Sequence, residues 1–248
     1  MDAALIDLLR DDLISADYRV ETVRALLGSD ADEARLRGVF APARRALRGR
    51  EEEPLAMLIR VFLLGDTVAG EELTRALPRL GVSGTQSLGL VAEAEAGVRA
   101  ALALNPVEIA DARAVSGQQW WIISDLDDAL RRGPARPDHV MGVGGATRTL
   151  IAQAPPADVH RALEIGTGCG VVALHLALRG PVVATDISER ALDLARANAR
   201  LNAVEGIEFR LGDLFAPVAG EAFDLIMSNP PFVVTPRGDE IGRYEYRD

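Results

Sequence analysis

The stretch Ala162-Leu163-Glu164-Ile165-Gly166-Thr167-Gly168-Cys169-Gly170-Val171-Val172 decides the fold. An apolar run containing one acid meets three alternating glycines, and a second apolar run then continues to Leu178. A chain that leaves a strand, turns sharply and enters a helix needs glycine where φ turns positive or where a ligand approaches main-chain N–H groups. Working outward, the same rhythm recurs. It predicts strands at Ala162 to Ile165, Val182 to Thr185, Ile207 to Leu211 and Phe223 to Met227, with helices near Val171 to Leu178 and Glu189 to Leu201. Strands alternating with helices imply a parallel, doubly wound α/β sheet. Glu164, Asp186 and Asp213 fall at the ends of the first three strands, and the fourth runs into Asn229-Pro230-Pro231-Phe232.

The glycine spacing is G-x-G-x-G, with Val171 where the dinucleotide fingerprint requires its last glycine. A ligand without a pyrophosphate suits this loop better. Asp186, about twenty residues beyond the glycines, stands where a ribose diol needs an acceptor. Each acid also has a plain reading as a helix N-cap or turn residue, and Asp186 before Ile187-Ser188-Glu189 has the spacing to cap.

Together, the glycine loop, Asp186, Asp213 and the tetrapeptide resemble the class I S-adenosylmethionine-dependent methyltransferases. The resemblance implies a Rossmann-like domain with S-adenosylmethionine as cofactor. It places Gly166, Thr167, Gly168 and Gly170 in the cofactor loop and Glu164 near the methionine moiety. Asp186 and Ile187 belong at the ribose, and Asp213 and Leu214 at the adenine. The segment Val140 to Thr149 loosely resembles the one that closes over the cofactor in HemK-type glutamine methyltransferases, with glycines in place of prolines, and Thr147 is its candidate contact.

The tetrapeptide Asn229, Pro230, Pro231 and Phe232 is the catalytic candidate, with Asn229 also facing the cofactor. An amide nitrogen or exocyclic base amine delocalises its lone pair and attacks a methyl group poorly. Acceptors on its two N–H groups, the Asn229 side-chain oxygen and the Pro230 carbonyl, turn that lone pair outward, and Phe232 stacks on the planar acceptor. No metal is required.

Asn229-Pro230-Pro231-Phe232-Val233-Val234-Thr235-Pro236 resembles the N-P-P-Y-V-x-T-P of HemK-like enzymes that methylate glutamine of a release factor, with Phe for Tyr. The helical N-terminal half departs from those enzymes and is more like small-domain ribosomal RNA guanine methyltransferases and some actinobacterial proteins. The expected acceptor is therefore a protein glutamine, with RNA guanine or nucleic-acid adenine as the alternative. A third reading is an inactive cofactor-binding or interaction fragment. The chain stops about sixteen residues after Phe232 with four strands supplied, fewer than a full class I sheet, so the natural protein is expected to continue past Asp248.

Residues 1 to 132 read as mainly helical, and 133 to 138, Gly-Pro-Ala-Arg-Pro-Asp, as a linker before a cofactor-binding domain at 139 to 248. Apolar spacing predicts helices through Leu5 to Leu13 and Val20 to Leu27, then Pro54 to Leu64 and Gly70 to Leu77. Val98 to Leu104 and Trp120 to Ser124 are expected as two strands of one small sheet, joined through Asn105-Pro106 and Ser116-Gly117, which suggests a winged-helix-like module. Trp120 and Trp121 are expected to pack between the two halves rather than to stack on bases.

Composition bounds the rest. The 248 residues carry 27 Arg and no Lys against 37 acids, a net charge of -10, so neither half is a basic nucleic-acid binder overall. Arg35, Arg37, Arg44, Arg45, Arg48 and Arg50 form a local cluster, read as a solvated face compensated by Glu51-Glu52-Glu53 or, alternatively, as a phosphate-contacting patch. The single cysteine, Cys169, excludes an intrachain disulfide, and His139, His160 and His175 show no ligand spacing. The absence of a signal peptide or a long apolar run makes the cytoplasm the expected location. Oligomeric state is open at this level.

Overall fold

The computed structural model describes residues 1–110 and 117–230. The N-terminal half opens with α1 (Ala3–Ser15), whose first turn is capped by Asp2 accepting from the Ala4 and Leu5 amides. The buried stripe of α1 is Ile6, Leu9 and Leu13, the helical spacing seen in the sequence. The chain continues through α2 (Val20–Leu27), α3 (Ser29–Leu36), α4 (Ala41–Ala46) and α5 (Pro54–Leu58), which runs on as a π turn over Ile59–Leu63. Next come α6 (Gly70–Ala76) and α7 (Gly81–Ser87). Asp12 is fully buried on α1 because its carboxylate accepts from the Arg79 and Leu80 amides ahead of α7.

Two antiparallel pairs follow instead of the single small sheet expected. β1 (Val91–Ala94) pairs with β2 (Gly97–Ala100), and β3 (Ala103–Ile109) pairs with β4 (Gln118–Ser124). The run Val98 to Leu104 is therefore split, because the chain bends at Ala101-Leu102, where both amides bond to the Leu90 carbonyl. Asn105-Pro106 is no connector but lies inside β3, where Pro106 faces Trp121 across the pair. Proline is tolerated there because Trp121 turns its own backbone groups away from β3, so this pairing asks for no proline N–H. Ser116 lies outside the described residues.

Beyond β4, α8 (Gly145–Ala152) leads into β5 (Ala162–Ile165), α9 (Val171–Ala177), β6 (Val182–Asp186), α10 (Glu189–Leu201), β7 (Ile207–Leu211) and β8 (Leu225–Ser228). The four strands form one parallel sheet in the order β7-β6-β5-β8, a Rossmann-like arrangement. β5 is buried along its whole length, as a central parallel strand must be. β8 starts two residues later than expected because Asp224 is taken up at the foot of the sheet, its carboxylate accepting from the His160 and Arg161 amides.

The two halves share one continuous apolar core. They are joined by polar contacts as well. Asn198 of α10 and Asn202 at its C-cap, one turn apart, bond the free edge of β4: each carboxamide accepts from and donates to a strand residue, Ile123 and Trp121 respectively. Trp121 also donates its indole N–H to the Tyr18 carbonyl, and Trp120 is buried, so both tryptophans are packing residues. Arg190 at the start of α10 grips Asp125, just after β4, with two hydrogen bonds of 2.7 and 2.6 Å. Among the described residues, no helix is long and apolar enough to cross a membrane.

Candidate functional site

The C-terminal ends of β5, β6 and β8 meet at one place. Register pairs Ile165 with both Thr185 and Ser228, so the glycine loop, Asp186 and Asn229 leave three adjacent strands at the same level. Ligands of open α/β sheets bind in such a crevice outside the carboxyl ends of the strands.

The loop geometry explains its glycines. Gly166 and Gly168 have φ of +70° and +55°, and a Cβ added at either would meet nothing within 4 Å. The space in front of the loop is open, and it is conformation that demands glycine there. Gly170 differs: at φ +84° a Cβ would also lie 2.8 Å from that of Ala195, so this glycine lets α9 and α10 approach.

Glu164 is 3% exposed, and its Oε2 accepts from the Thr167 hydroxyl at 2.6 Å. Burial pushes its pKa up to about 8, although the Thr167 hydrogen bond acts the other way. A cation placed beside it would offset that burial cost and favour the ionised carboxylate. Asp186 uses Oδ2 to accept from the Gly168 amide at 2.9 Å and Oδ1 to accept from the Ser188 amide at 2.9 Å. The N-cap of α10 is Ser188, so Asp186 serves the loop and the turn rather than capping. A carboxylate has lone pairs left after two such bonds, enough for a diol.

On the outer side, Asp213 is exposed after β7, and Leu214 adopts the left-handed φ of 43°, unusual for a branched residue. Leu214 is 64% and Ile187 73% exposed. Both are large apolar side chains left in solvent, each next in sequence to a strand-end acid, Asp186 and Asp213.

Asn229 follows β8 directly, and its Nδ2 donates to the Thr147 hydroxyl of α8 at 3.1 Å. The structure thus brings Thr147 to the tetrapeptide. Pro230 is described, whereas Pro231 and Phe232 lie outside the described residues. Among the described residues, no group of three or more His, Cys, Asp or Glu is placed to hold a metal ion.

Sequence reasoning missed Asn198, which is fully buried and also donates to the Cys169 carbonyl of the glycine loop at 2.8 Å. The signal was present: two asparagines at i, i+4 on the apolar side of an amphipathic helix demand buried partners. The arginine cluster is largely neutralised. Arg35 pairs with Asp32, Arg37 with Glu33, Arg44 with Asp66 and Arg50 with Glu53.

Comparison with known proteins gives matches to both halves. Residues 141–241 match the family described as methyltransferase small domain, and residues 15–101 match a domain of unknown function, DUF7059. Over 94 residues the chain is 43% identical to the release factor glutamine methyltransferase of Xylella fastidiosa (strain 9a5c), covering 35% of this chain and 34% of that protein. It is 39% identical over 125 residues to the release factor glutamine methyltransferase of Chlorobaculum tepidum, covering 45% and 42%. Among solved structures, a ribosomal protein L11 methylase from Lactobacillus delbrueckii subsp. bulgaricus aligns at 33% identity with a TM-score of 0.33, over 36% of this chain and 48% of that one. The chain spans less than half the length of these relatives.

Proposed function

From the premise that residues 141–241 form a class I methyltransferase domain of the HemK-like, methyltransferase-small type, we propose that the protein transfers a methyl group from S-adenosylmethionine to the side-chain amide of a protein glutamine. The observation that carries this reading is the convergence of Glu164, Asp186 and Asn229 at the ends of three adjacent parallel strands. The residues present fit the cofactor. Open space fronts Gly166 and Gly168, a buried carboxyl, Glu164, stands two residues before the loop, and exposed Ile187 and Leu214 offer apolar faces to a purine.

In this reading Glu164 receives the ammonium of the methionine moiety, with Thr167 holding the carboxyl. Asp186 accepts from the ribose hydroxyls, and Asp213 from the adenine amine. S-adenosylmethionine, when bound, supplies an electrophilic methyl on a sulfonium. Asn229 Oδ1 and the Pro230 carbonyl each accept one N–H of the acceptor amide, freeing its lone pair to point at that methyl. Each such bond strengthens as charge develops on nitrogen and contributes roughly 1.5 to 3 kcal/mol. Transfer would form the nitrogen–carbon bond as the methyl carbon–sulfur bond breaks, the electron pair leaving with sulfur as the neutral thioether S-adenosylhomocysteine, and the methylated nitrogen would then shed a proton to solvent, so no side-chain base is needed. Pro231 and Phe232 complete the acceptor clamp by the same resemblance, and the boundary between the halves is placed in the 133 to 138 linker.

A glutamine acceptor is favoured over RNA by the relatives at about 40% identity and by the pairing of four of the six cluster arginines with acids, which weakens that patch as a phosphate site. The test is transfer of radiolabelled methyl into a bacterial lysate, followed by protease or ribonuclease digestion. Label lost to protease alone, and released as methylamine by acid hydrolysis of the amide, is the expected result. Label lost to ribonuclease alone would overturn the acceptor class, and no transfer would favour a binding role.

A further inference from the structure

Asn229 lies where the sequence places a catalytic amide, but a carboxamide has two faces of opposite polarity. Turned by half a rotation about its last bond, it would present N–H groups to an amine that also has only N–H groups to offer. The side chain must also be held at the right place beside the acceptor. Among the described residues, the partner of the Asn229 carboxamide is Thr147, 82 positions earlier, whose Oγ1 accepts from Nδ2 at 3.1 Å. A hydroxyl can accept from Nδ2 or donate to Oδ1, so what the contact fixes is the place of the carboxamide against α8; with Nδ2 engaged as here, Oδ1 is left for an acceptor.

The support continues into the N-terminal half. Arg148, the next residue of α8, donates Nη1–H to the Glu108 carbonyl of β3 at 2.6 Å. Consecutive helix residues point about 100° apart, so one face of α8 meets the tetrapeptide while the adjacent face meets the hairpin. That hairpin is tied in turn to α10 through Asn198 and Asn202.

We propose that Thr147 is a positioning residue that holds the Asn229 carboxamide in place at the end of β8, and that the β3–β4 hairpin of the N-terminal half holds α8 in place for this task through Arg148. The proposal rests on the methyltransferase reading for its catalytic consequence, but the contact between Thr147 and Asn229 itself does not.

The test uses the full chain with Thr147→Val, which keeps the shape and removes the hydroxyl, and Thr147→Ser, which restores it. The Asn229 side-chain N–H pair is followed by 15N-resolved NMR, assigned by its disappearance in Asn229→Asp. The expected result is a displaced pair in Thr147→Val and a near wild-type pair in Thr147→Ser. In parallel, Thr147→Val lowers kcat about tenfold, the effect of one hydrogen bond, with acceptor KM and cofactor Kd changed less than about threefold. Thr147→Ser recovers most of the rate. An undisplaced pair in Thr147→Val overturns the proposal, as does a loss of cofactor affinity as large as the loss of kcat. A wild-type chain that transfers no methyl group sinks the activity reading instead, and the NMR comparison still decides whether Thr147 holds the Asn229 side chain.

Discussion

Asn198 bonds both backbone groups of Ile123, accepting from its N–H at 2.8 Å and donating to its carbonyl at 2.9 Å. A side-chain amide has the same donor and acceptor pair as a peptide, so α10 closes the free edge of β4 much as another strand would. The same Nδ2 reaches the Cys169 carbonyl, which ties the hairpin of one half to the glycine loop of the other.

Replacing Asn198 by Ala leaves three buried backbone groups without this partner. The expected loss of stability is on the order of 3 kcal/mol by urea unfolding, with weaker cofactor binding in the folded protein. The only tryptophans, Trp120 and Trp121, sit in β4 and report the N-terminal half by fluorescence. A variant within about 0.5 kcal/mol of wild type would show that the two halves are not coupled here.

Glu164 makes stability depend on pH. Its ordinary value of 4.5 rises to about 8 in the fold, chiefly through burial. Between those values the folded chain keeps a proton that the unfolded chain releases. The contribution is therefore complete below about pH 4.5 and is lost as pH rises through about 8. The slope cannot exceed about 1.4 kcal/mol per pH unit for one proton. Glu164→Gln removes this component, so the stability difference between wild type and variant should change across that window; a constant difference would count against a raised pKa.

On the proposed reading, Asn229→Ala should reduce methyl transfer by roughly 10²- to 10³-fold, the usual cost of losing one preorganised partner of the reacting group. Cofactor affinity should stay within a few fold. Equal loss of both in a binding and turnover comparison would mean that Asn229 serves the cofactor and not the acceptor.

Cys169 should resist alkylation. It is buried in the glycine loop, and burial pushes its thiol up to about 12, so little thiolate exists near neutral pH. The folded protein at pH 8 is expected to react with iodoacetamide at least about 100-fold more slowly than the chain in denaturant, measured by mass spectrometry. Comparable rates would place the loop in solvent.

Much of the C-terminal half was legible residue by residue. β5, β7 and α10 have the bounds that hydrophobic rhythm and glycine placement implied, because strand alternation and helix entry are local patterns. The N-terminal hairpins were less so. Val98 to Leu104 reads as one apolar strand, yet the bend at Ala101-Leu102 is set by bonds to Leu90, a partner that propensity does not reveal. Asp12 and Asn198 were equally hidden, since a lone acid or amide on a helix reads as solvated until its partners fold onto it.

By itself, the sequence determined the glycine loop, the acids at the strand ends and the polar tetrapeptide after the last strand. Each depends on short-range spacing along a backbone whose side chains alternate with fixed period. Only the tertiary structure decided that Asp186 serves the Gly168 amide while Ser188 caps α10, that Thr147 meets Asn229, and that α10 closes the edge of β4. Those last contacts join residues 75 and 82 positions apart. They arise when an orphaned backbone edge or amide is forced, by burial of the shared core, to find a partner, and no local pattern names which one.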